Sequence, residues 1–152
     1  MDIDYKKIGF KCGIEIHQRL DTNKLFCSCS SAQKEEPTLN IERKLRPSAG
    51  ELGEIDPAAL FEFLKAKKFV YRLSPKESCE VEADESPPFS MNTQALDVGI
   101  EVCKMLSCDI PNEIHVMRKT VIDGSNTSGF QRTSVIGLNG SLKTSKGKVG
   151  IL

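Results

Sequence analysis

Residues 113–133, EIHVMRKTVIDGSNTSGFQRT, constrain the fold most tightly. The first half alternates as a strand does, with Ile114, Val116, Arg118, Thr120 and Ile122 on one side and His115, Met117, Lys119 and Val121 on the other. The alternation then stops. Residues 123–129, DGSNTSG, hold two glycines and a dense run of hydroxyls and amides with no apolar side chain, which is the composition of a loop. Strand character resumes at Phe130.

Such a loop can bind anions. Glycine accepts positive φ and leaves backbone N–H groups open to a ligand. Ser125, Asn126, Thr127 and Ser128 add donors, and Arg118, Lys119 and Arg132 add positive charge. There is no G-x-x-x-x-G-K-[ST] pattern, so composition alone favours an ordinary polar turn over a phosphate cradle.

A second alternating run lies at residues 8–16. Ile8, Phe10, Cys12, Ile14 and Ile16 take one face; Gly9, Lys11, Gly13, Glu15 and, just beyond, His17 take the other. This predicts a strand with its apolar row on the core, and with Glu15 and His17 pointing the same way, roughly 7 Å apart. A carboxylate beside an imidazole can hold a metal ion, but a solvated polar face is the commoner meaning of the pattern.

The other predicted elements follow in order. Residues 21–30 read as a loop carrying Cys27-Ser28-Cys29. Residues 30–50 read as a polar surface excursion, mobile around 34–38, with a basic cluster of Arg43, Lys44 and Arg46 that reads as a solvated patch more readily than as an RNA contact. Asp56-Pro57 opens a helix running to Lys68, with Lys65, Lys67 and Lys68 in its last turn. Residues 69–73 and 78–83 read as two strands joined at Ser74-Pro75. After an acidic turn at residues 84–88, Asn92 caps a second helix to about Ser107, with Leu96, Ile100, Cys103 and Leu106 facing the core. Asn139-Gly140 is the strongest hairpin signal, between strands at 135–138 and 141–144, and Lys146-Gly147 makes a further turn. Together these predict an α+β fold, a largely antiparallel sheet with two main helices over one face, in one domain spanning residues 1–152.

Lys plus Arg and Asp plus Glu are 21 each, so no global basic field points to nucleic acid. No apolar run is long enough for a membrane span, and the charged N-terminus MDIDYKK lacks the apolar core of a signal peptide, which predicts a soluble cytoplasmic protein. Six cysteines without an export signal read as reduced thiols.

The string IHVMRKTVIDGSNTSGFQRT closely resembles a segment of the archaeal glutamyl-tRNA(Gln) amidotransferase E-type subunits, a family related to the bacterial B-type subunits. GIEIHQRL at residues 13–20 resembles that family's N-terminal signature, and the likeness extends through residues 45–54 and the acidic turn before the second helix. It implies the N-terminal part of the catalytic (cradle) domain that the B-type and E-type subunits share. It also implies an ATP-dependent reaction in which the γ-carboxylate of glutamate on Glu-tRNA(Gln) is phosphorylated and then amidated to give Gln-tRNA(Gln).

The resemblance gathers Glu15, His17, Lys119 and the 123–133 loop into one kinase pocket. Glu15 and His17 would place Mg²⁺. Ser125, Asn126, Ser128, Gly129 and Gln131 would hold ATP, Lys119 and Arg132 would neutralise developing charge, and Asp123 would orient a neighbour or bind metal. Ammonia would come from the amidotransferase's asparaginase-like D-type subunit. Bacterial relatives can carry a fuller cysteine set with zinc; this sequence departs from it, so two reduced, partly buried thiols are expected at Cys27 and Cys29. The resemblance covers only the front part of the family's subunit, which implies a fragment or truncated product with weak or absent catalysis alone. The alternative reading is a non-catalytic tRNA- or subunit-binding module.

Overall fold

The computed structural model describes residues 3–32, 35–50 and 52–152. Three separate two-stranded antiparallel ladders and two helices make up its regular structure. The first ladder pairs β1 (Leu39–Lys44) with β2 (Lys68–Leu73), with α1 (Pro57–Leu64) between them in sequence. α2 (Thr93–Met105) follows. Then β3 (Met117–Thr120) pairs with β4 (Phe130–Thr133), and β5 (Gly140–Thr144) with β6 (Gly147–Ile151). The α+β class holds; the single largely antiparallel sheet is replaced by three ladders.

Both helix starts fall where capping chemistry puts them. Asp56 Oδ1 accepts from Ala59 N at 3.0 Å, with Pro57 at the first helical position. Asn92 Oδ1 accepts from Ala95 N at 3.2 Å. Each helix ends beside a residue in the left-handed region, Ala66 (φ 53) and Ser107 (φ 55). α1 therefore stops before Lys67 and Lys68, leaving no basic residue in its last turn. On α2, Ala95 and Cys103 are buried, while Leu96, Ile100 and Leu106 are half-buried, as the helical spacing requires.

Three strand expectations are corrected. Residues 8–16 form no strand: Gly9 turns at φ 66, and the intended core row is exposed, Ile14 to 88% and Ile16 to 83%. A strand needs a neighbour to bond its backbone, and no described residue pairs with this one. Residues 78–83 are a turn in which Glu82 N and Ala83 N both donate to Cys79 O at 3.1 Å. β2 instead pairs with β1, inside the stretch expected to be a surface excursion. Of the segment expected to be mobile, residue 34 lies outside the described residues.

At the other end of the chain, Asn139 does adopt φ 57, but it redirects the chain without closing a hairpin. Leu138 bridges to Asp109, and the hairpin closes one turn later, at residues 144–147.

The buried hydrophobic set is small: Cys27, Leu45, Ala59, Ala95 and Cys103. The accessible surface is 11985 Å². A compact monomer of this mass exposes only about 7,600 Å². Large apolar side chains exposed on this chain include Ile8, Phe10, Ile14, Ile16, Leu52 and Phe61. No helix among the described residues is long and apolar enough to cross a membrane.

Candidate phosphate-binding site

The loop between β3 and β4 is anchored from three sides. β2 carries Phe69 and Tyr71 on one face, because residues two apart on a strand point the same way. The Tyr71 hydroxyl donates to Gly124 O at 2.7 Å and also lies 3.2 Å from Asn126 O. Phe69 packs so closely on Gly124 (φ 82) that a Cβ there would sit 2.0 Å from the ring. Thr127 Oγ1 donates to Glu82 O at 2.6 Å, and Gly129 (φ 74) lies against the backbone of Arg46. Within the loop, Ser125 N donates to Asp123 Oδ1 at 2.9 Å, and Val121 N to Gly129 O at 3.0 Å. Hydrogen bonds from the Ser125 side chain and N–H hold the Asp123 carboxyl below its ordinary range.

These bonds decide which groups can meet a ligand. The hydroxyls of Thr127 and Ser128 are committed to Glu82 O and Phe130 O. By contrast, among the described residues no acceptor takes the backbone N–H of Asn126, Thr127 or Ser128. Three consecutive open amides are a natural anion partner. Residues 125–128 line a cavity of about 380 Å³ with Lys24, Tyr71, Arg72, Phe130, Gln131 and Arg132. Gln131, Arg132, Arg72 and Lys24 also line a neighbouring cleft of about 720 Å³.

The expected pocket is only partly assembled. Ser125, Asn126, Ser128, Gln131 and Arg132 come together, and Gly129 closes the loop beside them. Lys119 stands opposite Gln131 and lines neither cavity. Glu15 and His17 meet each other, Oε1 to Nε2 at 3.2 Å, but both are largely exposed and line neither cavity. No further carboxylate joins them among the described residues, so they offer at most two positions to an octahedral Mg²⁺.

Lys24, Tyr71 and Arg72 belong to the site although no motif marks them. The strand-forming run Phe69-Val70-Tyr71 marks β2 but not its partner loop, so the sequence carries no signal for these three. Tyr71→Phe keeps the ring and removes the donor, leaving Gly124 O and Asn126 O without it. The expected loss is about 1–2 kcal/mol, read by denaturant unfolding. An unchanged midpoint would show that the hydroxyl does not hold the loop.

A second cluster adjoins the cavity at residues 125–128, which Cys27 also lines. Cys79 joins Cys27 and Cys29 with all three Sγ within 4.8 Å, which corrects the expected pair to a trio. These are three of the four ligands a structural zinc takes. Glu82, three residues after Cys79, gives both carboxylate oxygens to Lys24 Nζ at 2.7 and 2.8 Å. The donor set is therefore one short of a closed site among the described residues.

Burial pushes the Cys29 thiol up to about 12 and raises Cys27 as well. Burial works against the Cys79 thiolate too, but N–H groups of Glu82 and Val81 and the neighbouring thiols hold Cys79 below the ordinary 9.0. Cys79 thus ionises first as pH rises. Iodoacetamide near neutral pH should label Cys79 ahead of Cys27 and Cys29, as followed by peptide mass spectrometry. Equal labelling of the three would contradict this order.

Two of the three basic residues at 43–46 pair with acids. Arg43 pairs with Glu85, and Arg46 Nη1 with Asp84 Oδ2 at 3.0 Å.

A family model described as the GatB/GatE catalytic domain matches residues 10–151. The chain is 54% identical over 143 residues to the glutamyl-tRNA(Gln) amidotransferase E subunit of Saccharolobus solfataricus, covering 93% of this chain and 23% of that protein. It is 53% identical over 150 residues to the E subunit of Aeropyrum pernix, covering 98% and 23%. For the E subunit of Sulfurisphaera tokodaii the identity is 52% over 151 residues, covering 99% and 24%. The chain thus spans about a quarter of the length of these curated relatives. On this extent of matching, the chain belongs to the GatB/GatE catalytic domain family.

Proposed function

We propose that this chain carries the phosphate-binding part of an ATP-dependent glutamyl-tRNA(Gln) amidotransferase. The observation behind this is the row of backbone amides at residues 126–128 that have no acceptor among the described residues, in residues that line a cavity of about 380 Å³ together with Arg132. Phosphoryl transfer asks a protein mainly for positioning and charge neutralisation. Open amides and a guanidinium supply both.

In the reaction, a carboxylate oxygen of tRNA-bound glutamate attacks the γ-phosphorus of ATP and ADP leaves. Ammonia then attacks the acyl carbon of the resulting acyl phosphate, inorganic phosphate leaves with the C–O electron pair, and a proton is released. Here Arg132 balances charge on the transferred group, the amides of residues 126–128 orient its oxygens, and Tyr71 and Thr127 hold those amides in place. Glu15 and His17 would supply part of a Mg²⁺ shell but fall short of its full oxygen set, so these steps rest on the chain's own donors.

The partners would be Glu-tRNA(Gln) and an asparaginase-like D-type subunit as ammonia source, in the cytoplasm. The exposed apolar rows favour work inside a larger assembly over work as a free monomer. A non-catalytic binding module would share that surface but would have no use for the open amides.

Amide chemical-shift mapping with ATP tests the reading. Shifts centred on Asn126, Thr127 and Ser128 are expected. Shifts confined to the thiol turn or to residues 8–16 would overturn it.

A further inference from the structure

Arg118 and Arg132 face each other directly across the β3–β4 ladder. Both guanidinium carbons lie close to the same aromatic ring, Arg118 Cζ at 5.2 Å and Arg132 Cζ at 5.0 Å from the centroid of Phe130. Neither pairs with a carboxylate among the described residues. Like charges placed directly opposite on a ladder repel, and a ring face offsets only part of that.

Elsewhere on the chain many basic groups have a partner: Lys24, Arg43, Arg46, Lys65 and Lys76 all pair with acids. A shared ring under two arginines that lack a carboxylate, next to open amides, is an arrangement that a multivalent anion completes. Phe130 and Arg132 line the cavity beside those amides, and Arg118, exposed and outside that lining, joins them through the shared ring.

We infer that Arg118 and Arg132, stacked on Phe130, form a two-guanidinium clamp for the terminal phosphates of a polyphosphate ligand. This rests on the phosphate reading above and sharpens it by adding Arg118 to Arg132. A guanidinium fork matches two phosphate oxygens at once, so each arginine holds orientation as well as charge. Pairing across the ladder keeps the two forks on one face.

The test uses the whole chain, inorganic tripolyphosphate as probe, and chloride at matched ionic strength as reference, read by thermal shift. Arg118→Gln removes one fork. Lys148→Gln is the control, because Lys148 faces Lys143 across β5–β6 in a like-charge pair of its own. Tripolyphosphate should raise Tm beyond chloride in the wild type and in Lys148→Gln. In Arg118→Gln its half-saturation should shift about tenfold upward, and Arg118→Lys, which keeps charge but loses the fork, should recover only part of the loss.

No tripolyphosphate-specific shift in the wild type would overturn the clamp, as would equal weakening by Arg118→Gln and Lys148→Gln. Running ATP in parallel separates the two readings: a response to tripolyphosphate without one to ATP keeps the clamp and overturns the nucleotide reading.

Discussion

Gly129→Ala is expected to cost about 2–5 kcal/mol, the sum of a left-handed backbone imposed on a residue with a Cβ and an overpacked contact. The position is buried, with φ 74, and an added Cβ would stand 1.8 Å from the carbonyl oxygen of Arg46. That neighbour is backbone, so no side chain can swing away to relieve the clash. Gly129 also closes the loop, accepting from Val121 N at 3.0 Å and donating to Asn126 O at 3.3 Å. The strain therefore falls on the segment that presents the amides of residues 126–128. Denaturant unfolding should show the lost stability, and hydrogen exchange should show faster exchange at residues 124–129. A change below about 0.5 kcal/mol, the range of ordinary surface substitutions, would mean the loop is not held against Arg46.

Arg132→Gln should weaken ATP binding by about 10–100-fold, since a hydrogen bond to a charged group contributes about 1.5–3 kcal/mol. Arg132 lines both cavities, and the Phe130 ring orients it. Stability should change little, because no carboxylate loses its partner. Displacement of a fluorescent ATP analogue reads the affinity, and far-UV circular dichroism checks the fold. Affinity within twofold of wild type would remove Arg132 from the site.

Local chemistry explains what was legible in the chain. The caps at Asp56 and Asn92 depend on residues three positions apart, and both form as expected. The glycine- and hydroxyl-rich loop sits between strands β3 and β4 as its composition demands. Pairing is harder to read. β1, LNIERK, looks like a charged surface run until its partner is known; against β2 its Glu42 meets Lys68 at 3.4 Å, and Ile41 stands opposite Tyr71. The row Ile8, Phe10, Ile14 and Ile16 shows the opposite failure. Alternation marks a face that should be covered, but does not supply the neighbour that covers it.

Cys79 is distant in sequence from Cys27 and Cys29, so spacing alone does not join them. It reaches them because residues 79–85 curl into a turn that also ties Lys24 and Thr127 to Glu82. The ladder sets Arg118 opposite Arg132 and Lys119 opposite Gln131, a pairing that the order of residues along the chain does not reveal.

The most direct measurement is calorimetric titration of ATP into the folded chain, with Mg²⁺ and with EDTA. Saturable binding at one site is expected, stronger with Mg²⁺ and weakened by Arg132→Gln. Absence of binding by a chain whose fold is verified in the same buffer would contradict the phosphate site, because the open amides, Arg132 and the cavity would then not suffice to hold a nucleotide.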